Sequence, residues 1–296
     1  MSDGARQRRP MEHMVADTCS GVVATRARQR AKCFRSSRPP GTIKETQSYQ
    51  RDVDKLGDAV QIATKEVLSS IARNGYFLSS CSLDEPHEES LLKLVVGLGD
   101  PEGNESLHVP GFKHGCVDII SPVSGVKTYR DGTEIRSTTN HSMLCHTDGS
   151  TDVDPIDLLV MFVSVGDTRV KTVVAHVDDV ISRLDSEQIA TLRRRIFPFS
   201  NQLFPILKWD GARHTIRYDR FEVDRAKKAK NHEFDQVATT ALLRLDDALE
   251  DASQLISLEE GDLIVMDNHR MLHGRTEIPI DSQRILMRVR LRTQTG

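Results

Sequence analysis

The sequence predicts a mainly β protein with flanking helices (an α+β class), in which a β-barrel or jelly-roll core is covered by helices. Two observations carry this prediction. Short apolar runs broken by Gly, Pro and Asp recur from residue 107 onward, and apolar side chains at helical spacing occur before and between them. A composition of 38% apolar and 28% charged residues over 296 residues is that of an ordinary globular protein with a full-sized core.

Each element can be placed in chain order. Three- and four-residue spacing of apolar side chains predicts the helices, the first of which is stopped by Gly75, and Asp185 or Ser186 is a candidate cap inside the third. The predicted helices are 53–74, 88–98, 177–195 and 236–256. The predicted strands are 76–78, 117–120, 126–129, 144–148, 156–165, 172–177, 206–209, 215–219, 263–266 and 285–291. The basic run 225–230 is expected in a solvated loop or at a helix start.

Charge divides the chain into two parts. Residues 1–50 contain ten basic and four acidic side chains, although the whole chain has a net charge of −3. We expect a basic, flexible arm over 1–50 and a single domain over 51–296, with the breaker cluster 36–41 near the end of the arm. The arm could instead contact nucleic acid or act as a targeting peptide, or its first residues could lie upstream of a natural start at Met11 or Met14.

The bulk composition also limits location and partners. Five cysteines without a Cys-x-x-Cys pair argue against a disulfide framework and a thiolate zinc site, and favour a reducing, cytoplasmic location. The apolar runs are all far shorter than the roughly 18 residues of a membrane helix. We therefore expect no membrane association, and because we expect the arm to be a flexible extension, we do not expect nucleic acid as the partner.

The most informative stretch is 144–149, which contains His146 and Asp148. In a strand these two side chains point to the same face, so an imidazole and a carboxylate can bind one metal. His273 is the candidate for a second imidazole. Two histidines and one carboxylate form the facial triad of non-haem Fe(II) oxygenases, which leaves three metal positions open.

The C-terminal segment strengthens this interpretation. Residues 261–276 read Gly-Asp-Leu-Ile-Val-Met-Asp-Asn-His-Arg-Met-Leu-His-Gly-Arg-Thr, and Arg284 and Arg288 follow 11 and 15 residues after His273. Four residues apart in one strand, the two arginines are expected to share a face. A buried guanidinium beside an iron site can bind a carboxylate through two hydrogen bonds.

These two blocks, with the Pro-x-Asp-Leu-Leu segment at 155–159, resemble the taurine dioxygenase / clavaminate synthase-like family of Fe(II)- and 2-oxoglutarate-dependent oxygenases. The resemblance covers residues 54–292 as an order of elements and implies a double-stranded β-helix, a distorted jelly roll. It implies that His146, Asp148 and His273 bind iron and that Arg284 and Thr172 bind the distal carboxylate of 2-oxoglutarate.

The resemblance gives further residues a role. Arg288 matches an arginine near the other end of the cosubstrate or the anionic group of the substrate. Arg217, Tyr218 and Asp219 lie where relatives line the substrate pocket, although an ordinary strand explains them too. Asp267 and Asn268 are expected to cap the turn before His273, and Arg275 to hold a loop by a salt bridge.

The implied function is that of an oxidoreductase. With Fe(II), 2-oxoglutarate and O₂, it would hydroxylate, desaturate or cyclise an unactivated C–H of a small carboxylate-bearing substrate, with release of succinate and CO₂. An amino acid, or an amino-acid-derived compound of natural product biosynthesis, is the expected substrate. The alternative is a non-catalytic binding or regulatory protein on the same scaffold, whose basic arm contacts nucleic acid or an acidic partner.

Overall fold

The computed structural model describes residues 58–81, 83, 87–95, 97–102, 116–121, 128, 132 and 134–293. Within these residues the protein is mainly β, with antiparallel sheets and flanking helices, as the sequence predicts. The basic arm 1–50 lies outside the described residues, as do residues 53–57 and 96 of two predicted helices and residues 126, 127 and 129 of a predicted strand. In the described part, no helix combines the length and the apolar character that crossing a membrane requires.

Two antiparallel sheets form the centre of the molecule. The larger sheet contains β1 (Tyr76–Ser80), β2 (Asp100–Pro101), β3 (Val117–Ile120), β5 (Leu158–Val165), β12 (Asp262–Asp267) and β14 (Ile285–Arg292). The smaller sheet contains β4 (Met143–His146), β6 (Lys171–His176), β11 (Gln254–Ser257) and β13 (Met271–Arg275). The strand order is β1-β12-β5-β14 in the larger sheet, where β14 also pairs with β2 and β3, and β11-β6-β13-β4 in the smaller one.

Helices and two short hairpins surround the sheets. The helices are α1 (Asp58–Asn74), α2 (His87–Val95), α3 (Val177–Ile181), α4 (Ser186–Leu192), α5 (Arg220–Ala229) and α6 (Gln236–Ala252). The hairpins are β7 (Phe197–Phe199) with β8 (Gln202–Phe204), and β9 (Leu207–Trp209) with β10 (His214–Ile216). The second hairpin is the predicted strand pair around Asp210 and Gly211.

Strand β5 is buried on both faces, which explains its unbroken apolar sequence. One set of alternate side chains packs with α1 and α2 on the outer face of the sheet: Leu158, Val160 and Phe162. The other set faces the space between the two sheets: Leu159, Met161 and Val163. Val174 of β6 and Met271 of β13 join that inner cluster, so the sheets face each other across it.

The outer face of the smaller sheet is covered by helices. Val177 and Val180 of α3 and seven apolar side chains of α6 pack there together with Ala175 of β6. The spacing in the sequence predicts most of this apolar face, but Val237 and Leu255, which it also places inward, are exposed. Both sheets are therefore shielded on their outer faces, and the polar side chains that remain between them need a specific explanation.

Three of the differences from the predictions have a clear local reason. The helix predicted over 177–195 is two helices, because the Asp185 side chain forms a capping box with Gln188 and begins a new helix. The helix predicted to reach residue 256 ends at Ala252, and β11 follows because residues 254–257 pair with β6. The basic run 225–230 is neither a loop nor a helix start; it lies at the C-terminal end of α5, where lysines interact favourably with the helix dipole.

Candidate metal centre

His146 and His273 lie opposite each other on the neighbouring strands β4 and β13. Their ring centroids are 4.4 Å apart. The next residue, Gly274, has no room for a side chain, because a Cβ there would lie 2.4 Å from the carbonyl oxygen of Met143. Glycine therefore lets the two strands that carry the imidazoles approach closely.

Asp148 reaches the two histidines from a turn, which differs from the strand predicted for 144–148. Strand β4 ends at His146, and the chain turns at Asp148 and Gly149, whose φ is +66°. The buried Asn268 side chain fixes this turn, since it accepts from Asp148 N at 2.9 Å and donates to Asp148 O at 2.9 Å. A strand is not needed to bring the two side chains together, because a turn in which both the N–H and the C=O of Asp148 are hydrogen-bonded has the same effect.

The three side chains form a compact set of donors. Nε2 of His146 lies 3.7 Å, and Nε2 of His273 lies 3.6 Å, from Oδ1 of Asp148. The ligand atoms all lie within 4.8 Å of one another, and all three residues are buried. Nδ1–H of His146 donates to the carbonyl oxygen of Leu144 at 2.9 Å, which leaves Nε2 with its lone pair for a metal.

The electrostatic surroundings shift the pKa values of His273 and Asp148 in the directions that favour cation binding. Burial lowers the pKa of His273 to about 3, assisted by the neighbouring His146, so this imidazole is neutral at neutral pH. Burial alone would raise the pKa of Asp148, but Arg288 and Arg290, followed by the two histidines, lower it well below its ordinary value. A neutral imidazole and an ionised carboxylate are the forms that bind metals, so the donor set fits a divalent ion such as Fe(II).

Two arginines of β14 face the carboxylate from the space between the sheets. Arg288 pairs with Met161 and Arg290 with Leu159, both of which belong to the inner apolar cluster. Nη1 of Arg288 lies 3.1 Å, and Nε of Arg290 lies 3.2 Å, from Oδ2 of Asp148. Both arginines also contact Oδ2 of Asp118 on β3.

Thr172 is buried on the same face of the smaller sheet as His273. In the register of β6 and β13, Val174 pairs with His273 and Thr172 pairs with Arg275. Paired residues share a face, and Val174 belongs to the inner cluster. The Thr172 side chain therefore points to the side of the sheet on which the donor set lies.

Arg284 is buried with only 4% of its surface exposed, and it precedes β14. The structure does not support the prediction that it shares a face with Arg288, because a bulge at Ile285 and Leu286 interrupts the alternation of side chains between the two faces of the strand. Burial lowers its pKa to about 10, while Asp167 acts in the opposite direction. Among the described residues, its guanidinium donates no hydrogen bond to a protein acceptor.

Arg275 holds a loop, but by a different contact from the one predicted. Its guanidinium donates to the carbonyl oxygens of Arg136, Thr139 and His141 rather than forming a salt bridge. Burial lowers its pKa to about 10, and the nearby Arg284 adds to this effect. The two buried cations therefore lie close enough to repel each other.

The three residues predicted to line the substrate pocket each have a protein partner. Arg217 donates to the carbonyl oxygens of Ser150 at 3.2 Å and Val153 at 3.0 Å, and so holds the loop that follows Asp148. Tyr218 is buried and its hydroxyl donates to Asp246. Asp219 caps α5 by accepting from Phe221 N at 3.0 Å.

The sequence analysis assigns no role to Asp118 or Arg290, and it predicts a different contact for Asn268, whose side chain bonds the backbone of Asp148. The partners of Asp118 and Asn268 lie up to 170 residues away in the chain. Arg290 could have been found, because Arg288, Arg290 and Arg292 alternate with apolar residues in a predicted strand. Such alternation predicts that all three arginines share one face.

Comparison with known proteins agrees with this geometry. Residues 202–290 match the family model described as "Taurine catabolism dioxygenase TauD, TfdA family". This segment contains His273, Arg284, Arg288 and Arg290. No curated protein is significantly similar to the chain in sequence.

Several solved structures have the same fold. An asparagine oxygenase in complex with Fe(II), 2S,3S-3-hydroxyasparagine and succinate is 16% identical, with a TM-score of 0.68 over 85% of each chain. The non-heme iron oxygenase OrfP in complex with Fe and alpha-ketoglutaric acid is 18% identical, with a TM-score of 0.63 over 86% of this chain and 94% of that chain. OrfP with Fe, succinate and (3R,4R)-dihydroxy-L-Arg is 20% identical, with a TM-score of 0.64 over 84% of each chain.

At these identities the structural likeness concerns the fold, whereas the family match concerns the sequence of the C-terminal third. Both agree with the resemblance that the two motifs predict. The protein is thus identified, through residues 202–290, as similar to the taurine catabolism dioxygenase TauD, TfdA family.

Proposed function

We propose that the chain is an Fe(II)- and 2-oxoglutarate-dependent dioxygenase that oxidises an unactivated C–H of a small carboxylate-bearing substrate. The observation that carries this proposal is the convergence of His146, Asp148 and His273 within 4.8 Å. With O₂ and 2-oxoglutarate, a ferrous ion in such a site supplies oxidative decarboxylation to succinate and CO₂ and the oxidation of a nearby C–H. We also propose that residues 51–296 form one oxygenase domain whose two facing sheets are a double-stranded β-helix.

The protein's own residues supply binding and orientation. His146, Asp148 and His273 would bind the iron, and the buried surroundings would keep bulk water away. Arg284, a buried cation without a hydrogen-bond acceptor among the described residues, is suited to an anion. We propose that it binds the distal carboxylate of 2-oxoglutarate together with the buried Thr172 hydroxyl.

The substrate proposal is supported by the comparison with solved structures. The structures of the asparagine oxygenase and of OrfP contain hydroxylated amino acids. Arg288, which the resemblance links to an anionic group, is already paired with Asp118 and Asp148 and adds no separate support. An amino acid, or a compound derived from one, is therefore the substrate class we propose, with hydroxylation as the reaction.

The metal and cosubstrate can be tested together without a substrate. Addition of Fe(II) and 2-oxoglutarate to the protein under anaerobic conditions should give a weak visible charge-transfer band. Asp148→Ala should remove the band, because it deletes one of three ligands. Asp224→Ala, which changes an exposed carboxylate that pairs with Arg220 on α5, should retain it.

Absence of the band in the unmodified protein would contradict the proposed function. If the band forms, the substrate can be sought by measuring succinate release in the presence of individual amino acids and related acids. A true substrate should stimulate succinate release, and the stimulation should require both Fe(II) and O₂.

A further inference from the structure

The carboxylate of Asp148 divides its two oxygens between two sets of neighbours. Oδ1 faces the imidazoles, at 3.7 Å from Nε2 of His146 and 3.6 Å from Nε2 of His273. Oδ2 lies 3.1 Å from Nη1 of Arg288 and accepts a hydrogen bond from Nε of Arg290 at 3.2 Å. Only Oδ1 is therefore turned toward the position that a metal would occupy.

Asp118 holds both arginines in this arrangement. Its Oδ2 lies 3.0 Å from Nη2 of Arg288 and 3.1 Å from Nη1 of Arg290. Asp118 pairs with Arg288 across β3 and β14, so the backbone register places it on the same face of the sheet. Its side chain is only 13% exposed, and those of the two arginines are 11% and 16% exposed.

Among the described ion pairs of this group, the charges balance before a metal enters. Asp118 and Asp148 supply two negative charges, Arg288 and Arg290 supply two positive charges, and both imidazoles must be neutral to bind a metal. Without Asp118 the group would carry a net positive charge, and a dication would have to enter against it. Electrostatic repulsion acts strongly among buried groups, where screening by water is weak.

We propose that Asp118 is a positioning residue of the metal centre, an inference that rests on the proposed function. It keeps Arg288 and Arg290 on Oδ2 of Asp148, so that Asp148 binds the metal through Oδ1 alone. It also compensates the second arginine, so that the buried site accepts a divalent cation. Asp118 itself does not contact the metal.

The experiment measures binding of Co(II), a spectroscopically visible substitute for Fe(II), to the full-length apoprotein by calorimetry and by its visible absorption bands. Asp118→Asn should weaken Co(II) binding roughly tenfold or more, as is typical when a residue that supports a metal ligand is changed. Asp224→Asn removes a carboxylate from an arginine pair on α5 and should bind Co(II) like the unmodified protein.

A double variant separates charge compensation from a general structural effect. Asp118→Asn with Arg290→Leu restores a net charge of zero, and we expect it to recover much of the lost Co(II) affinity. If Asp118 served only packing or stability, the double variant would bind no better than Asp118→Asn. That result, or unchanged affinity in folded Asp118→Asn, would overturn the inference and leave the proposed function standing.

The double variant also provides the test if Asp118→Asn fails to fold, because charge compensation then predicts a folded double variant that binds Co(II). Failure of the unmodified protein to bind Co(II) with one-to-one stoichiometry would instead contradict the proposed function itself. The two failures are therefore distinguishable.

Discussion

Two pairs of buried arginines have different surroundings. Arg288 and Arg290 share two carboxylates, Asp118 and Asp148, at distances of 3.0 to 3.2 Å. Arg275 and Arg284 have no carboxylate within ion-pair distance among the described residues, and burial lowers the pKa of each to about 10. The first pair is compensated by the protein, whereas the second pair retains positive charge that an anion could neutralise.

This difference suggests that a buried charge should be judged by its partners. A compensated pair maintains the geometry of neighbouring groups, here the Asp148 carboxylate. An uncompensated cation costs stability in the free protein and therefore favours a ligand of opposite charge. The first pair thus fits a structural role at the metal ligand, and the second fits the cosubstrate role proposed for Arg284.

The largest effect on stability is expected from Arg290→Leu. The change leaves Asp118 and Asp148 with one arginine between them, and breaking a buried ion pair from one side costs about 3–5 kcal/mol. Urea unfolding of the apoprotein measures this loss. Arg244→Leu, which breaks the exposed pair with Asp247 on α6, should change the free energy of unfolding by less than about 1 kcal/mol.

Arg284→Leu should weaken 2-oxoglutarate binding without lowering stability. It removes a buried cation that has no carboxylate within ion-pair distance among the described residues, so the free energy of unfolding of the apoprotein should not fall as it does in Arg290→Leu. Loss of two charge-assisted hydrogen bonds should weaken 2-oxoglutarate binding by about 3 kcal/mol, or roughly 100-fold. Titration of the charge-transfer band measures this affinity.

A loss of stability in Arg284→Leu equal to that in Arg290→Leu would remove the distinction between the two pairs. Unchanged 2-oxoglutarate affinity in a folded Arg284→Leu protein would contradict the role proposed for this arginine. Both measurements use the same protein preparations, so the two pairs can be compared directly.

The smallest effect is expected from Thr172→Val, which keeps the volume of the side chain and removes its hydroxyl. If that hydroxyl donates one hydrogen bond to the cosubstrate, its loss should weaken 2-oxoglutarate binding by about 1 kcal/mol, or roughly fivefold. Thr172→Ser retains the hydroxyl and should bind nearly as well as the unmodified protein. Equal affinities of the Val variant and the unmodified protein would place the hydroxyl outside the cosubstrate site.

The sequence predicted those features that depend on local pattern. The spacing of His146 and Asp148 and the motif around His273 identified the three donors that the structure brings together. The unbroken apolar run of β5 and most of the apolar face of α6 were likewise visible, because both are local properties of the sequence.

Features that depend on pairing between distant segments were not predicted. Asp118 contacts Arg288 because β3 pairs with β14, and the residues near Asp118 in the sequence do not indicate which strand β3 pairs with or in which register. The side chain of Asn268 bonds the peptide of Asp148 from 120 residues away. The bulge before Leu286, which changes the direction of Arg284, also arises from pairing with β5 and has no clear local signal.

Among the described strands, β4 lies at the edge of the smaller sheet and pairs with β13 alone. It carries His146, whereas His273 lies on β13, so an ion bound to both would cross-link the outermost strand to the interior of the sheet. A bound metal would then stabilise this edge strand, in which Leu144 is 63% exposed to solvent. The same ion would therefore both complete the proposed active site and hold β4 in the sheet, and loss of iron would affect the two together.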